Sequence, residues 1–142
     1  MDEALINDHP AKNVSPAILE QTKLKLYMKP GHKVYETKLK CLSFFENKAK
    51  AVSWEGFSTF QNFEPMVSVE QNFDSLLIPQ SYHGRRSTDV FYFNESHLLR
   101  THLLAHLREI VILGKRTFVT IGEVFRQAEV DFLHSEFFHQ VC

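Results

Sequence analysis

The feature that most constrains this chain is the pair of β-rich runs at its end. RTFVTIGEVFR, residues 116–126, and HSEFFHQVC, residues 134–142, are joined by a short connection. Runs this close together pair as an antiparallel hairpin, and a hairpin needs a further layer on which to bury one face. Side chains alternate along an extended strand, so Arg126 shares a face with Val124, Gly122 and Thr120. On the returning strand the same alternation groups His134, Phe138 and Gln140. A glycine opposite an arginine leaves room for a flat ligand above the sheet. Arginine suits a phosphate there, because its planar fork bonds two oxygens at once and keeps its charge. An ordinary amphipathic hairpin with an exposed arginine fits the pattern equally well.

What precedes the hairpin sets the fold class. NVSPAILEQTKLKLY has Ser15 as an N-cap and Pro16 at the first helical position, a strong helix start. Pro30 and Gly31 break that helix. Apolar groups then return at helical spacing (Tyr35, Leu39, Leu42, Ala49), which predicts a second helix over 32–49. GFSTFQNFEPMVSV reads as strands broken at Pro65, NFDSLLIP as a short helix or turn ended by Pro79, and DVFYFN as a short aromatic strand. HLLRTHLLAHLREIVILG begins extended and becomes a helix over about 103–113, with Leu103, Leu107 and Ile110 on its packed face. Gly114 follows its end. Helices first, then strands around one helix, predict an α+β fold with a largely antiparallel sheet: a helical segment over 1–50 and the sheet with its helix over 51–142.

Composition narrows the function classes. At 142 residues the chain is one domain, and 44% hydrophobic content with 13 Phe supports a packed core. A net charge of -1 argues against a duplex nucleic-acid binder with a dense basic face, and leaves open a charged partner handled locally. Two cysteines, Cys41 and Cys142, are too few for a disulfide scaffold and point to a reducing compartment. No apolar run approaches the roughly 18 residues of a membrane span. The acidic opening MDEALINDHP is neither a secretory signal nor an arginine-rich transit peptide.

Three smaller groups could carry chemistry. HLLAH sets His102 and His106 four apart on the expected helix, the spacing of a zinc pair, but Leu103 stands where the catalytic version has Glu. A third ligand would come from His97, His134 or His139; the alternative is two histidines hydrogen-bonded at a core edge. Cys142 beside a histidine is a conceivable nucleophile pair. Arg85 and Arg86 after Gly84 form a possible phosphate-holding loop or two solvated side chains.

Four stretches, QNFDSLLIP, FYFNESHLLRTH, GEVFR and HSEFFHQ, resemble in order the corresponding stretches of phenylalanine–tRNA ligases, the single-chain organellar type of mitochondria in particular. That resemblance covers about residues 57–142, and NVSPAILEQTKLKLYMKPGH resembles the segment before the core. It implies a class II aminoacyl-tRNA synthetase core, an antiparallel sheet flanked by helices. Such a core uses ATP, with magnesium, to activate phenylalanine before loading tRNA, here in a mitochondrial or other organellar matrix. By resemblance Pro65 sits in motif 1 and the hairpin is motif 2. Arg126 is then the catalytic arginine on the ATP α-phosphate, with His134 and Ser135 on the nucleotide side. His102, Ala105, His106 and Gln140 fall on the amino-acid side, and no protein-bound metal is implied.

The chain also departs from that pattern. Leu104 and Leu107 stand where the family has Ser and Gln for the substrate's amino and carboxyl groups, and Ala128 replaces an acidic residue. A glutamate shortly after FHQ is replaced by Cys142, beyond which the family continues into motif 3. These departures set the expectation of a partial core, with motifs 1 and 2 but not motif 3, inactive alone. The alternative is a non-catalytic binding or interaction module whose protein partner covers the open sheet edge and Phe137.

Overall fold

Ser15 starts the first helix through its own side chain. Its hydroxyl accepts from the Ile18 amide at 3.3 Å, and α1 runs Pro16–Thr22. The computed structural model describes residues 9–54, 56–132 and 134–142. The first eight residues of the acidic opening lie outside them. His32 caps the second helix, its Nδ1 accepting from the Val34 amide at 3.2 Å, and α2 covers Lys33–Ala51. The face of α2 that turns inward differs from the apolar spacing read above. Val34, Leu42 and Phe45 pack on the sheet and Ala49 is buried, while Leu39 is exposed. The inward side also carries a lysine, Lys38, which burial pulls below its ordinary pKa. Its ammonium donates to Gln61 Oε1 at 2.9 Å and lies over the Tyr35 ring, so the charge has partners.

Two small sheets follow. β1 (Ser58–Phe60), β4 (Phe118–Phe125) and β5 (Phe137–Val141) form one in the order β1-β4-β5, and β2 (Met66–Ser68) pairs with β3 (His97–Leu99) in the other. The closing hairpin is antiparallel as expected, with Gly122 opposite Gln140 and Val124 opposite Phe138. β1 instead runs parallel to β4, Ser58 beside Phe118. The long excursion through β2, β3 and the helices between them supplies the crossover a parallel pair needs. DVFYFN is not a strand. It is a buried bend joined to β3 by one bridge, Tyr92 to Leu98, and Val90, Phe91 and Phe93 are all buried in it. A short helix, α3 (Val69–Asn72), opens with a reciprocal cap between Ser68 and Gln71.

The segment expected as one helix over 103–113 is split. Leu103–His106 winds as a tighter 3-10 turn, and only Leu107–Ile112, α4, is α-helical. Gly114 then takes a left-handed φ of 73°, which ends the helix as read from the sequence.

Alternation along β4 separates two layers. Val119, Ile121 and Phe125 face α1 and α2, through Tyr27, Leu42 and Phe45 at one end and Val14, Ile18 and Phe91 at the other. Thr120, Gly122 and Val124 face the opposite way, under residues 100–112. Both faces of β4 are buried, so the strand reads as nearly continuous apolar sequence. A third apolar cluster, Val67, Phe73, Val90, Leu98 and Ala105, fastens β2, β3 and the 3-10 turn together.

Candidate active site

Gly122 has a packing reason to be glycine. A Cβ built there would come within 2.5 Å of Arg100 Nη2 and 3.1 Å of a Leu103 methyl carbon. The space above the sheet at Gly122 is therefore filled from within the protein, and the expected room for a flat ligand over this residue is closed. Arg100 emerges from the end of β3, and its backbone already bridges Pro65 and Phe125. Its guanidinium donates through Nε to the Glu123 carbonyl at 2.8 Å and through Nη1 to the Phe63 carbonyl at 3.0 Å. Nη2 lies 3.2 Å from the Glu123 carboxylate, with both side chains sealed from water. Burial lowers the Arg100 pKa and the Glu123 charge opposes that fall. The pair occupies the gap where β1 has left β4.

His106 belongs to the same cluster. Its ring stacks on Phe63, centroids 4.3 Å apart and 4° from parallel. Nε2 faces Arg100 Nη1 at 3.2 Å, and arginine can only donate, so the imidazole proton sits on Nδ1, toward Glu109 at 3.4 Å. Burial, then the Arg100 charge, holds His106 below the ordinary imidazole range, so it is neutral near pH 7.

His102 faces elsewhere. It is the extended residue before the 3-10 turn, not part of a helix, so the two histidines do not share a helical face. Its ring has no side-chain partner, and burial followed by the Arg126 charge lowers its pKa. It lines a cleft of about 660 Å³ with Thr101, Arg126, Gln127, Phe73, Pro79 and Tyr82. Asn72 holds that wall. Fully buried, it accepts from the Thr101 amide at 3.0 Å and donates to the Thr101 hydroxyl at 2.9 Å.

Arg126 stands exposed at the cleft mouth, just past β4. Its Nε donates to the Thr101 carbonyl at 3.1 Å and its guanidinium lies 5.3 Å from the centre of the Phe138 ring. The residue after it is held from a distance. Asn13 donates to Gln127 Oε1 at 3.1 Å and to the carbonyls of Ser87 and Val90 at 2.8 Å, and accepts from the Tyr92 amide. A cleft this size with one apolar wall and one fixed cation suits a ligand that is flat at one end and anionic at the other.

The other expected residues separate into two sets. Gln140 sits across from Gly122 and accepts from the Leu103 amide at 3.3 Å, which ties β5 to the 3-10 turn. Ala105 is buried in the apolar cluster around Phe73. His134 and Ser135 are exposed in the hairpin connection, where His134 bonds Asp131 and Ser135 accepts from the Phe137 amide. Neither Leu104 nor Leu107 lines the cleft; Leu104 is exposed and Leu107 borders a hollow beside Val111 and Phe118.

Arg85 is not a free phosphate holder. It donates to Asp74 and to the Ile78 carbonyl while lying over the Phe73 ring. Cys142 is exposed as a residue, and the partial burial of its thiol moves its pKa up, away from the thiolate a nucleophile needs. Among the described residues no three His, Cys, Asp or Glu side chains converge, and no helix is long and apolar enough to cross a membrane.

A family model described as the tRNA synthetases class II core domain (F) matches residues 7–142. The mitochondrial phenylalanine–tRNA ligase of Dictyostelium discoideum is 36% identical over 129 residues, covering 91% of this chain and 28% of that protein. The mitochondrial phenylalanine–tRNA ligase of Saccharomyces cerevisiae is 35% identical over 141 residues, covering 94% of this chain and 29% of that protein. Among solved structures, a pyrrolysyl tRNA synthetase from Desulfitobacterium hafniense overlays with a TM-score of 0.47 at 21% identity, covering 87% of this chain and 41% of that one. The chain thus spans less than a third of the length of the curated relatives it matches.

Proposed function

The chain belongs to the class II tRNA synthetase core family, and on that premise we propose that it is a mitochondrial-type phenylalanine–tRNA ligase chain that binds ATP at the Arg126 cleft. The observation that carries the reading is Arg126 itself. It is a fixed charge beyond the longest strand of the sheet, oriented by the Thr101 carbonyl and Phe138, at the mouth of a cleft of nucleotide size.

Activation of phenylalanine joins its carboxylate oxygen to the α-phosphorus of ATP and expels pyrophosphate. Negative charge gathers on the α-phosphoryl oxygens as the new bond forms, and a preorganised guanidinium stabilises it without reorganising. His102, neutral beside Arg126, adds a polar group without competing for the anion. Gln140 uses its oxygen on Leu103, so its amide NH2 end is the one available to a carboxylate. His134 and Ser135 would serve the nucleotide from the hairpin connection; Ala105 and His106 would shape the amino-acid side from behind. The described residues form no carboxylate cage for magnesium. Phenylalanine, tRNA and an organellar location come to this reading from the relatives' names.

A second reading has its own observation. Leu104 and Leu107, which stand where the family has Ser and Gln, line no part of the Arg126 cleft, so neither supplies a hydrogen bond to an amino acid held there. This favours a nucleotide-binding module that does not activate an amino acid. The test is ATP binding and phenylalanine-dependent ATP–pyrophosphate exchange on the chain and on Arg126→Ala. ATP affinity should fall by roughly 1.5–3 kcal/mol in the variant, the scale of a charge-assisted contact. Exchange by the unaltered chain supports the ligase reading, and Arg126-dependent binding without exchange supports the module. Equal ATP affinity in both proteins rules out the nucleotide role.

A further inference from the structure

Charge is unevenly placed along this chain. Residues 23–50 hold eight lysines and two glutamates, net +6, in a chain whose overall charge is -1. Lys38 is buried on Gln61, and Lys23 pairs with Glu20 at 2.6 Å. Among the described residues no ion pair holds Lys29, Lys33, Lys40, Lys48 or Lys50.

On α2 these charges have a pattern. The helix turns Val34, Lys38, Leu42, Phe45 and Ala49 inward. At about 100° per residue the outward ridge carries Lys33, Lys40, Phe44 and Lys48. The helical rise puts Lys33 about 10 Å from Lys40 along the axis and Lys40 about 12 Å from Lys48. Phe44 stands 56% exposed between the last two, and the Lys48 ammonium lies 5.8 Å from its ring centre. Glu36 and Glu46 lie on or beside this side and are outnumbered.

We infer that the outer face of α2 is a docking surface for the phosphate backbone of an RNA. A run of lysines in excess over the glutamates, with no ion pair among the described residues holding them and an exposed ring among them, is complementary to a chain of regular negative charges carrying flat bases. An anionic membrane would need a broad apolar face to insert, and α2 spends its apolar face on the sheet. The helix covers the Val119 and Ile121 side of β4, opposite the side of Gly122, so this surface is separate from the Arg126 cleft. The choice of RNA among polyanions rests on the tRNA-ligase reading; the charge pattern does not.

The experiment is fluorescence anisotropy of labelled tRNA titrated with the 142-residue chain across a salt series. The variant is Lys33→Gln/Lys40→Gln/Lys48→Gln, and the control removes three charges elsewhere, Arg86→Gln/Lys115→Gln/Arg116→Gln. Each lost phosphate contact flattens the plot of log K against log salt by about 0.7–0.9. The ridge variant should therefore lose about 2 from the slope and at least tenfold in low-salt affinity, with the control close to unaltered. Lys40→Glu alone should weaken binding in the same sense, and Phe44→Ala should weaken it without changing the slope. Equal slopes for the chain and its ridge variant overturn the proposal. So does lysine-dependent binding to phosphatidylserine vesicles with none to tRNA. ATP affinity of the chain and of Arg126→Ala, measured beside tRNA binding, separates the two readings. If it ignores Arg126 while tRNA binding still needs the ridge, the ligase reading fails and this surface stands.

Discussion

Replacing Arg100 by methionine measures how the buried charge cluster between β3 and β4 is held. The arginine is 1% exposed and Glu123 is 0% exposed. Methionine keeps an unbranched chain in the same space and removes every donor: the bonds to the Glu123 and Phe63 carbonyls, the contact to His106 and the ion pair at 3.2 Å. The largest consequence is a carboxylate left alone in a place without water, and removing one partner of a buried pair costs about 3–5 kcal/mol. Two carbonyls also lose their donors, at about 1–3 kcal/mol each where nothing relaxes to meet them. We therefore expect a loss of at least about 4 kcal/mol, a large share of the roughly 5–15 kcal/mol that holds a domain together. At about 3 °C per kcal/mol for this size, the melting midpoint should fall by about 12 °C or more. Urea denaturation followed by circular dichroism reads the first quantity and a thermal melt the second. The double variant Arg100→Met/Glu123→Leu should recover the carboxylate's share of the loss, because no buried charge is left unpaired, while the two carbonyls stay without their donors. A single-variant loss under about 1 kcal/mol, or a double variant worse than the single, would refute the reasoning.

Gly122→Ala should destabilise by about 1–3 kcal/mol, because its methyl meets Arg100 Nη2 at 2.5 Å in a core with little slack; an unchanged urea midpoint would mean that Arg100 moves aside freely. Stability should also decline in mild acid. Burial is the first cause lowering the pKa of His102, His106 and His139, with Arg126, Arg100 and His32 respectively adding to it. A depressed folded-state pKa means the full contribution is present above the unfolded imidazole value, near about 6.5, and is lost as pH falls through the folded values. Urea midpoints at about pH 7.5 and about pH 5.5 check this, and a profile that is flat or rises toward acid would contradict it.

Where local chemistry decides, the sequence was readable. Ser15 and Pro16 start α1, Gly114 ends α4, Pro65 separates β1 from β2, and the last two strands pair as the antiparallel hairpin read from the sequence. The misreadings have a common cause. Lys38 looks like a surface residue until Gln61 and two tyrosine rings are placed around it, which leaves Leu39 to solvent. Glycine opposite arginine suggested open space until Arg100 arrived from β3 to fill it. Arg100, Glu123, Asn72 and Asn13 passed unmarked because their immediate neighbours in sequence do not touch them; apart from His106, six residues from Arg100, the hydrogen-bond partners of their side chains lie 23 to 114 residues away. One signal was available. A charged residue inside an apolar run, as in HLLRTHLL and VTIGEVF, asks for a buried partner of opposite sign.

Asn13 carries a consequence for how the protein is made. It leaves the ribosome 114 residues before Gln127, yet its amide closes on Ser87, Val90 and Tyr92 and on Gln127 itself. Local helices such as α1 and α2 form on a growing chain, whereas this clasp cannot close until the strand that ends beside Arg126 has been synthesised. The lip of the cleft and its cation are thus joined only after that strand has emerged, so the helices precede the cleft on a growing chain.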